Sequence, residues 1–416
     1  MDYQDNNDPS PIYLDLETSI HNTGDDAVGD HKASPYCDKN FITHIGILNT
    51  QHNDRIYTDR SLYVSPSIKH LSSVTGSVLV AQNISFDLSH LYAHAISGAT
   101  DCTREHLDTY LYNNEIWDTM IVEYLLSGQV DTWISLDELA ERYGGTVKDS
   151  RIKEYWKRGI STEHIPEEEI IPYLKSDVAN LKVIYEGQLE LAKSLGMLPL
   201  IKSQMRARQA TIMMEINGMY FDTDLAYKYQ KELTKELEQL DKDIISFLER
   251  KTYPWIMTSN FLVTSPKQLS AVLFGGTIEF TTELPILDPV TGDEVRFKTG
   301  LRKGQVKTKK TKVPIPITPL YDADKLKIKK TSSGEYQTGA ETLDKLKKAY
   351  PDDEFIGYVI KHRDLTKQIK TYFVGYSQLC WPDTKLIHGQ LNHCQTATGR
   401  LSSSKPNMQN ISNKES

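Results

Sequence analysis

Asp15 and Glu17 stand one residue apart in the run Ile-Tyr-Leu-Asp-Leu-Glu, whose composition predicts a strand over residues 12–17. The two-residue period of a strand puts both carboxylates on one face, where they could gather a cation or simply meet solvent. Farther on, Asn83 and Asp87 lie where a second apolar run gives way to a helical pattern. Tyr173 and Asp177 are four residues apart in a third segment, so phenol and carboxylate share a helical face. Each feature alone has a plain reading: an exposed acidic pair, a helix-capping Asp87, a core Tyr173 with its hydroxyl satisfied. Their succession within one stretch of chain singles them out.

The elements that must hold them are legible in outline. Strand-like runs at residues 41–48 and 78–81 follow the first strand, after a Gly/Asp/Asn-rich loop. Helical spacing then governs residues 86–96, 116–126 and 136–143, the last opened by a capping box with Ser135 at N-cap and Glu138 at N3. A long helix is expected over residues 172–195, with Pro172 at its first position and Gly196 as its stop. Strands first and helices after predict an α/β domain over residues 1–195.

D-x-E, then N-x-x-x-D, then Y-x-x-x-D resembles the three motifs of the DEDDy 3′→5′ exonucleases, the proofreading type with an RNase H-like fold. The similarity spans residues 12–195, and Asp118-Thr119-Met120 with Tyr124-Leu125-Leu126 resembles a segment those domains carry between their second and third motifs. The resemblance implies that Asp15, Glu17, Asp87 and Asp177 hold two divalent ions, Mg2+ or Mn2+, since hard cations take oxygen ligands. It implies that Tyr173 orients the attacking water. Thr18, Asn83 and Phe86 match positions that contact the terminal nucleotide, so the implied substrate is a single-stranded DNA 3′ end.

Beyond residue 195, apolar residues at three- and four-residue intervals from Leu225 to Leu248 predict a long amphipathic helix. Ser265 and Pro266 open another, which Gly275-Gly276 closes. Met214-Glu215-Ile216-Asn217-Gly218 and Ser265-Pro266-Lys267-Gln268-Leu269 resemble the start of the thumb in family A DNA polymerases. His362-Arg363-Asp364-Leu365-Thr366-Lys367 resembles that family's Y-R-x-L-x-K segment, with histidine in place of tyrosine. Thr396-Ala397-Thr398-Gly399-Arg400-Leu401-Ser402-Ser403 with Pro406-Asn407-Met408-Gln409-Asn410-Ile411 follows its T-x-T-G-R-L-S-S…P-N-x-Q-N-I. Arg400, Asn407, Gln409 and Asn410 are thereby implied in binding primer-template duplex, Arg400 through minor-groove contacts that position without reading sequence.

The expected architecture is an α/β, RNase H-like (DEDDy) exonuclease domain at 1–195, a mainly helical thumb at 196–379, and a truncated start of the palm at 380–416. About fifty residues, roughly 277–326, have no counterpart in compact family members. Within them, residues 297–321 hold seven Lys or Arg, no acid and five Gly or Pro, which predicts a mobile basic loop or ribbon. Lys307, Lys309 and Lys310 are its candidate phosphate contacts, although a solvated linker would share that composition.

The palm aspartates, the fingers helix and the H-D-E motif of the family are not found, and Ser412 stands where proline is usual. The expectation is the N-terminal part of a phage-type family A polymerase, from a split gene or a shortened chain, completed by a C-terminal chain bearing palm and fingers. A DNA-binding assembly subunit with a silent exonuclease is the alternative, which the intact carboxylate set disfavours. A free-standing nuclease of the ribonuclease D type is disfavoured by the thumb and T-G-R-L-S-S segments.

Charge agrees with this division. Residues 1–195 carry 15 basic and 31 acidic side chains and the remainder 33 and 25, a net −16 before a net +8. The second part has the footprint of a polyanion partner. Cys37, Cys102, Cys380 and Cys394 form no C-x-x-C, which argues against a zinc knuckle. The acidic start is unlike a secretory signal, and no apolar run approaches about 18 residues, so a cytoplasmic setting with no membrane partner is expected, the host's cytoplasm if phage-encoded.

Overall fold

The computed structural model describes residues 10–21, 33–37, 39–49, 74–96, 103–146, 151–251 and 261–411. The acidic start, residues 22–32, Cys102 and Ser412 lie outside these. The chain forms two compact units, Met1–Thr223 with Tyr376–Ser416, and Asp224–Gly375.

The first unit is built on a four-stranded sheet. Its strands are β1 (Ser10–Thr18), β2 (Ile42–Asn49), β3 (Ser77–Ala81) and β4 (Glu115–Asp118), in the order β2-β1-β3-β4. β2 runs antiparallel to β1, and β3 and β4 run parallel. β2 and β3 are buried along their whole length, as strands covered on both faces must be. The covering helices are α1 (Ser85–Ile96), α2 (Arg104–Asn113), α3 (Thr119–Leu126), α4 (Leu136–Tyr143), α5 (Arg151–Lys157), α6 (Glu167–Ser194) and α7 (Leu198–Asn217). The capping box of α4 forms as its sequence predicts, Ser135 Oγ accepting from the Glu138 N–H and Glu138 accepting from the Ser135 N–H.

Two expectations are corrected. Residues 116–126 are not one helix: 115–118 extend the sheet, and α3 starts only after Asp118, whose side chain accepts the Met120 N–H and caps it. The long helix begins at Glu167, not at Pro172. Three glutamates in its first turn complement the helix dipole, and Pro172 sits inside at the cost of one hydrogen bond.

In the second unit, α8 (Thr223–Lys251) and α9 (Pro266–Phe274) follow the predicted spacing, with Ser265 Oγ accepting from the Gln268 N–H. The segment expected as a basic loop or ribbon is a ribbon. β5 (Gly276–Pro285) pairs antiparallel with β6 (Thr308–Ile317) without a break in register. Helices α10 (Ala340–Ala349) and α11 (Glu354–Lys367) complete the unit, and α11 runs on as a π-helix over Gln368–Gly375. His362, the departure from the family's tyrosine, is buried on α11 and bonds Asp241 of α8 through Nε2 at 3.0 Å.

The chain then returns to the first unit. A short hairpin, β7 (Gln390–Asn392) with β8 (Ser402–Ser404), gives structure to a stretch whose sequence shows little periodicity. β7 is held from α7: Glu215 Oε1 accepts the Leu391 N–H at 2.6 Å, and Arg208 Nη1 donates to the Leu391 carbonyl at 3.1 Å. Arg208 and Glu215, both buried, pair with each other at 3.2 Å.

Candidate functional site

The site begins with a glycine. In the antiparallel register Asp15 of β1 faces Gly46 of β2. A Cβ at Gly46 would lie 2.7 Å from Val178 Cγ2 and 3.0 Å from Leu174 Cγ, so α6 packs this closely only because position 46 has no side chain. Asp177 rides on α6 beside Val178. The carboxylates of Asp15, Glu17 and Asp177 can thereby place oxygens within 4.8 Å of one another. Asp15 is half-buried, and Glu17 and Asp177 are buried.

Asp87 joins them from the first turn of α1 without belonging to that closest group. Its Oδ1 accepts the N–H of Leu16, the residue between the two strand acids, at 3.1 Å. Burial, and after it the charge of Asp15, holds its carboxyl well above the usual carboxylate range. Crowded, buried acids of like charge disfavour their own ionised forms, and a divalent cation reverses that. This donor set, all hard oxygen, fits Mg2+ or Mn2+ better than a softer metal.

Tyr173 stands one turn before Asp177 and packs edge-on against Trp156, ring centres 5.9 Å apart. Burial first, then the charges of Glu17 and Asp15, raises its pKa, so the hydroxyl stays a hydrogen-bond donor at neutral pH.

Thr18 is buried at the end of β1, where the register with β2 slips. Asn83 occupies the turn between β3 and α1 with φ +52°. Asn83 and Phe86 line a cleft of about 260 Å³ together with Tyr36, Trp133, Trp381 and Gln390. The turn carrying Asn83 is tied to Asp118, which is fully buried: its Oδ1 accepts the Asn83 N–H and its Oδ2 the Ile84 N–H, each at 3.1 Å. In the sequence Asp118 stands out only as part of a resembling segment. The signal that marks it there is an acid placed to cap an apolar helix.

In the C-terminal segment Arg400 is exposed, at the end of a turn that Thr396 Oγ1 closes by donating to the Arg400 carbonyl at 2.7 Å. Asn407 and Gln409 serve the loop itself. Asn407 Oδ1 accepts the Gln409 N–H, and Gln409 Nε2 donates to the Leu401 carbonyl. Asn410 is exposed. In the ribbon, Lys310 and Lys312 share an exposed face, while Lys309 points to the other. The facing strand supplies the acids that the basic stretch lacks, with Glu279 3.7 Å from Lys312 and Glu283 opposite Lys310. Lys307 lies 5.3 Å from the Phe297 ring centre.

Among the described residues no helix is long and apolar enough to cross a membrane. Cys37, Cys380 and Cys394 are buried free thiols.

Residues 6–189 match the family described as 3′-5′ exonuclease, and residues 318–416 match DNA polymerase family A. DNA polymerase I of Bacillus subtilis is 25% identical over 304 residues, 71% of this chain and 27% of that protein. DNA polymerase I of Synechocystis is 27% identical over 350 residues, 82% of this chain and 28% of that protein. The thermostable DNA polymerase I of Thermus caldophilus reaches 41% over 83 residues, 20% of this chain and 10% of that protein. The chain thus spans little more than a quarter of the two longer-matching relatives. A solved structure, the POL domain of Pol1 from M. smegmatis in complex with DNA primer-template and dNTP, superposes with a TM-score of 0.58 at 17% identity, over 98% of this chain and 53% of that one. That likeness concerns the fold, an α/β exonuclease domain followed by a polymerase-domain fragment.

Proposed function

Since the chain joins a 3′-5′ exonuclease domain to the start of a family A DNA polymerase domain, we propose that it removes nucleotides from DNA 3′ ends and binds primer-template duplex. The observation that carries the first part is the convergence of the Asp15, Glu17 and Asp177 oxygens, with Asp87 bonded into the same strand and the Tyr173 phenol beside them. When bound, two Mg2+ or Mn2+ ions would activate a water and neutralise charge on the departing 3′ oxygen. Asp15, Glu17, Asp87 and Asp177 would hold them. The Tyr173 hydroxyl, kept protonated, donates a hydrogen bond that aims the attacking water. Thr18, Asn83 and Phe86 seat the terminal nucleotide, so that the phosphodiester faces the acids. A P–O bond forms to the water oxygen as the bond to the 3′ oxygen breaks, and with the water's proton passing through solvent to that departing oxygen the products are a 5′-mononucleotide and a strand one residue shorter with a new 3′ hydroxyl.

For the duplex, we assign Arg400 and the loop that Asn407, Gln409 and Asn410 complete, with Lys307, Lys309 and Lys310 as a second, phosphate-level contact. Nucleotide addition belongs to a palm and fingers, which in the phage-type reading a second chain supplies.

The test is hydrolysis of a 3′-end-labelled single-stranded oligodeoxynucleotide. Shortening requires Mg2+ or Mn2+ and stops in chelator. Asp15→Ala lowers the rate roughly a hundredfold or more, because one ligand fewer removes much of the charge stabilisation at the transition state. A rate near that of the unmodified protein would end the assignment.

A further inference from the structure

Asp118 has none of its surface exposed, yet it is not one of the acids that converge at the metal site. A buried carboxylate is retained where donors surround it. Here the donors are backbone N–H groups of Asn83, Ile84 and Met120, all at 3.1 Å. Met120 is local and accounts for a helix cap. The other two come from a turn 34 and 35 residues earlier in the chain, which β3 brings alongside because Ala81 pairs with Asp118 at the ends of the two strands.

That turn needs holding. Asn83 lies in the left-handed region at φ +52°, which costs a non-glycine residue free energy unless its surroundings fix it. The conformation does two things. It sets Asn83 at the wall of the cleft, beside Phe86. It also starts α1 at Ser85, which sets Asp87 at the depth where its Oδ1 meets the Leu16 N–H.

We propose that Asp118 is a positioning residue for the exonuclease reaction: by accepting the N–H groups of Asn83 and Ile84 it sets both the amide that meets the terminal nucleotide and the carboxylate of Asp87. Asp118 itself touches neither nucleotide nor metal, and its role rests on the exonuclease reading of the acids around Asp15.

Asp118→Ala leaves the N–H groups of Asn83, Ile84 and Met120 without that acceptor and frees the turn. Asp118→Asn keeps Oδ1 for Asn83 and Met120 but sets an amide N–H2 against the Ile84 N–H. Three quantities are measured for each variant: the melting temperature, the Kd of a fluorescein-labelled single-stranded oligodeoxynucleotide in chelator, and kcat with Mg2+. Asp118→Ala is expected to weaken binding about tenfold and to lower kcat about a hundredfold in protein still folded at the assay temperature, with Asp118→Asn between it and the parent. A purely structural role would lower the melting temperature alone. Parental Kd and kcat in folded Asp118→Ala overturn the proposal. Should that variant not fold, parental values in Asp118→Asn overturn it instead. The Asp15→Ala control separates the two levels. If it keeps its rate, the exonuclease reading falls; if it loses activity while Asp118→Ala does not, only the positioning role falls.

Discussion

At the scale of single residues, burial in the first unit holds the imidazoles of His90 and His393 neutral. Burial lowers the pKa of His90 to about 4, against a weaker opposing bond to the Ala33 carbonyl, and burial followed by the Arg208 charge lowers that of His393 to about 4. In the unfolded chain both would titrate near 6.5. At these two positions the unfolded state therefore binds more protons between those values, so their contribution to stability is complete above about pH 6.5 and is lost as pH falls toward 4. The melting temperature should drop across that window, and His90→Asn should flatten the dependence. An unchanged slope would place the acid sensitivity elsewhere. Residues proposed to act chemically are easier to read from sequence than the groups that support them. Asp15 and Glu17 are legible because a strand's period fixes which side chains share a face, and Tyr173 and Asp177 because a helical turn does the same. Asp118 can be read only as a helix cap, through Met120, since its other two partners are main-chain groups of a distant turn, which leave no mark on side-chain identity.

At the scale of elements, the approach of α6 to β2 is the step that assembles the acids. Gly46→Ala should cost about 1–3 kcal/mol, because Val178 is branched at Cβ and has little room to turn aside. It should also cut the exonuclease rate more than its melting temperature explains, by displacing Asp177. A variant that hydrolyses at the parental rate would show that the helix yields without moving the acid. Nothing in the sequence marks this glycine, since glycine within a strand reads first as a weak point. Element boundaries misread in the sequence have the same origin. Residues 115–118 are a strand because β3 offers an open parallel edge, and propensity within a short apolar run cannot see that edge. The ribbon tests a different element. Replacing Lys307, Lys309, Lys310 and Lys312 with Gln should weaken duplex binding for every sequence alike and flatten log Kd against log salt by roughly 0.9 for each phosphate no longer neutralised. Glu279 and Glu283 across the strand pair make the full effect smaller than four charges suggest. An unaltered salt slope would remove the ribbon from the DNA surface.

At the scale of the whole molecule, the proposed activity should appear on duplex as well as on single strands. Given primer-template and Mg2+, the protein should shorten the primer from its 3′ end, and chelator should stop it. A primer of unchanged length on a sequencing gel would refute this. The first unit is also discontinuous: Tyr124 Oη donates to the Thr396 carbonyl at 2.5 Å across 272 residues of chain, and Glu215 reaches Leu391 across 176. That has a consequence for biosynthesis. On the ribosome, the sheet and its acids emerge early, but the strand that satisfies Arg208 and Glu215 is translated only after the entire second unit. At some 5–20 residues per second, the half-made unit must wait on the order of ten seconds or more with a buried ion pair still open to water. The nascent chain thus passes through a period in which Asp15, Glu17, Asp87 and Asp177 have all been made but the segment that closes the unit around them has not.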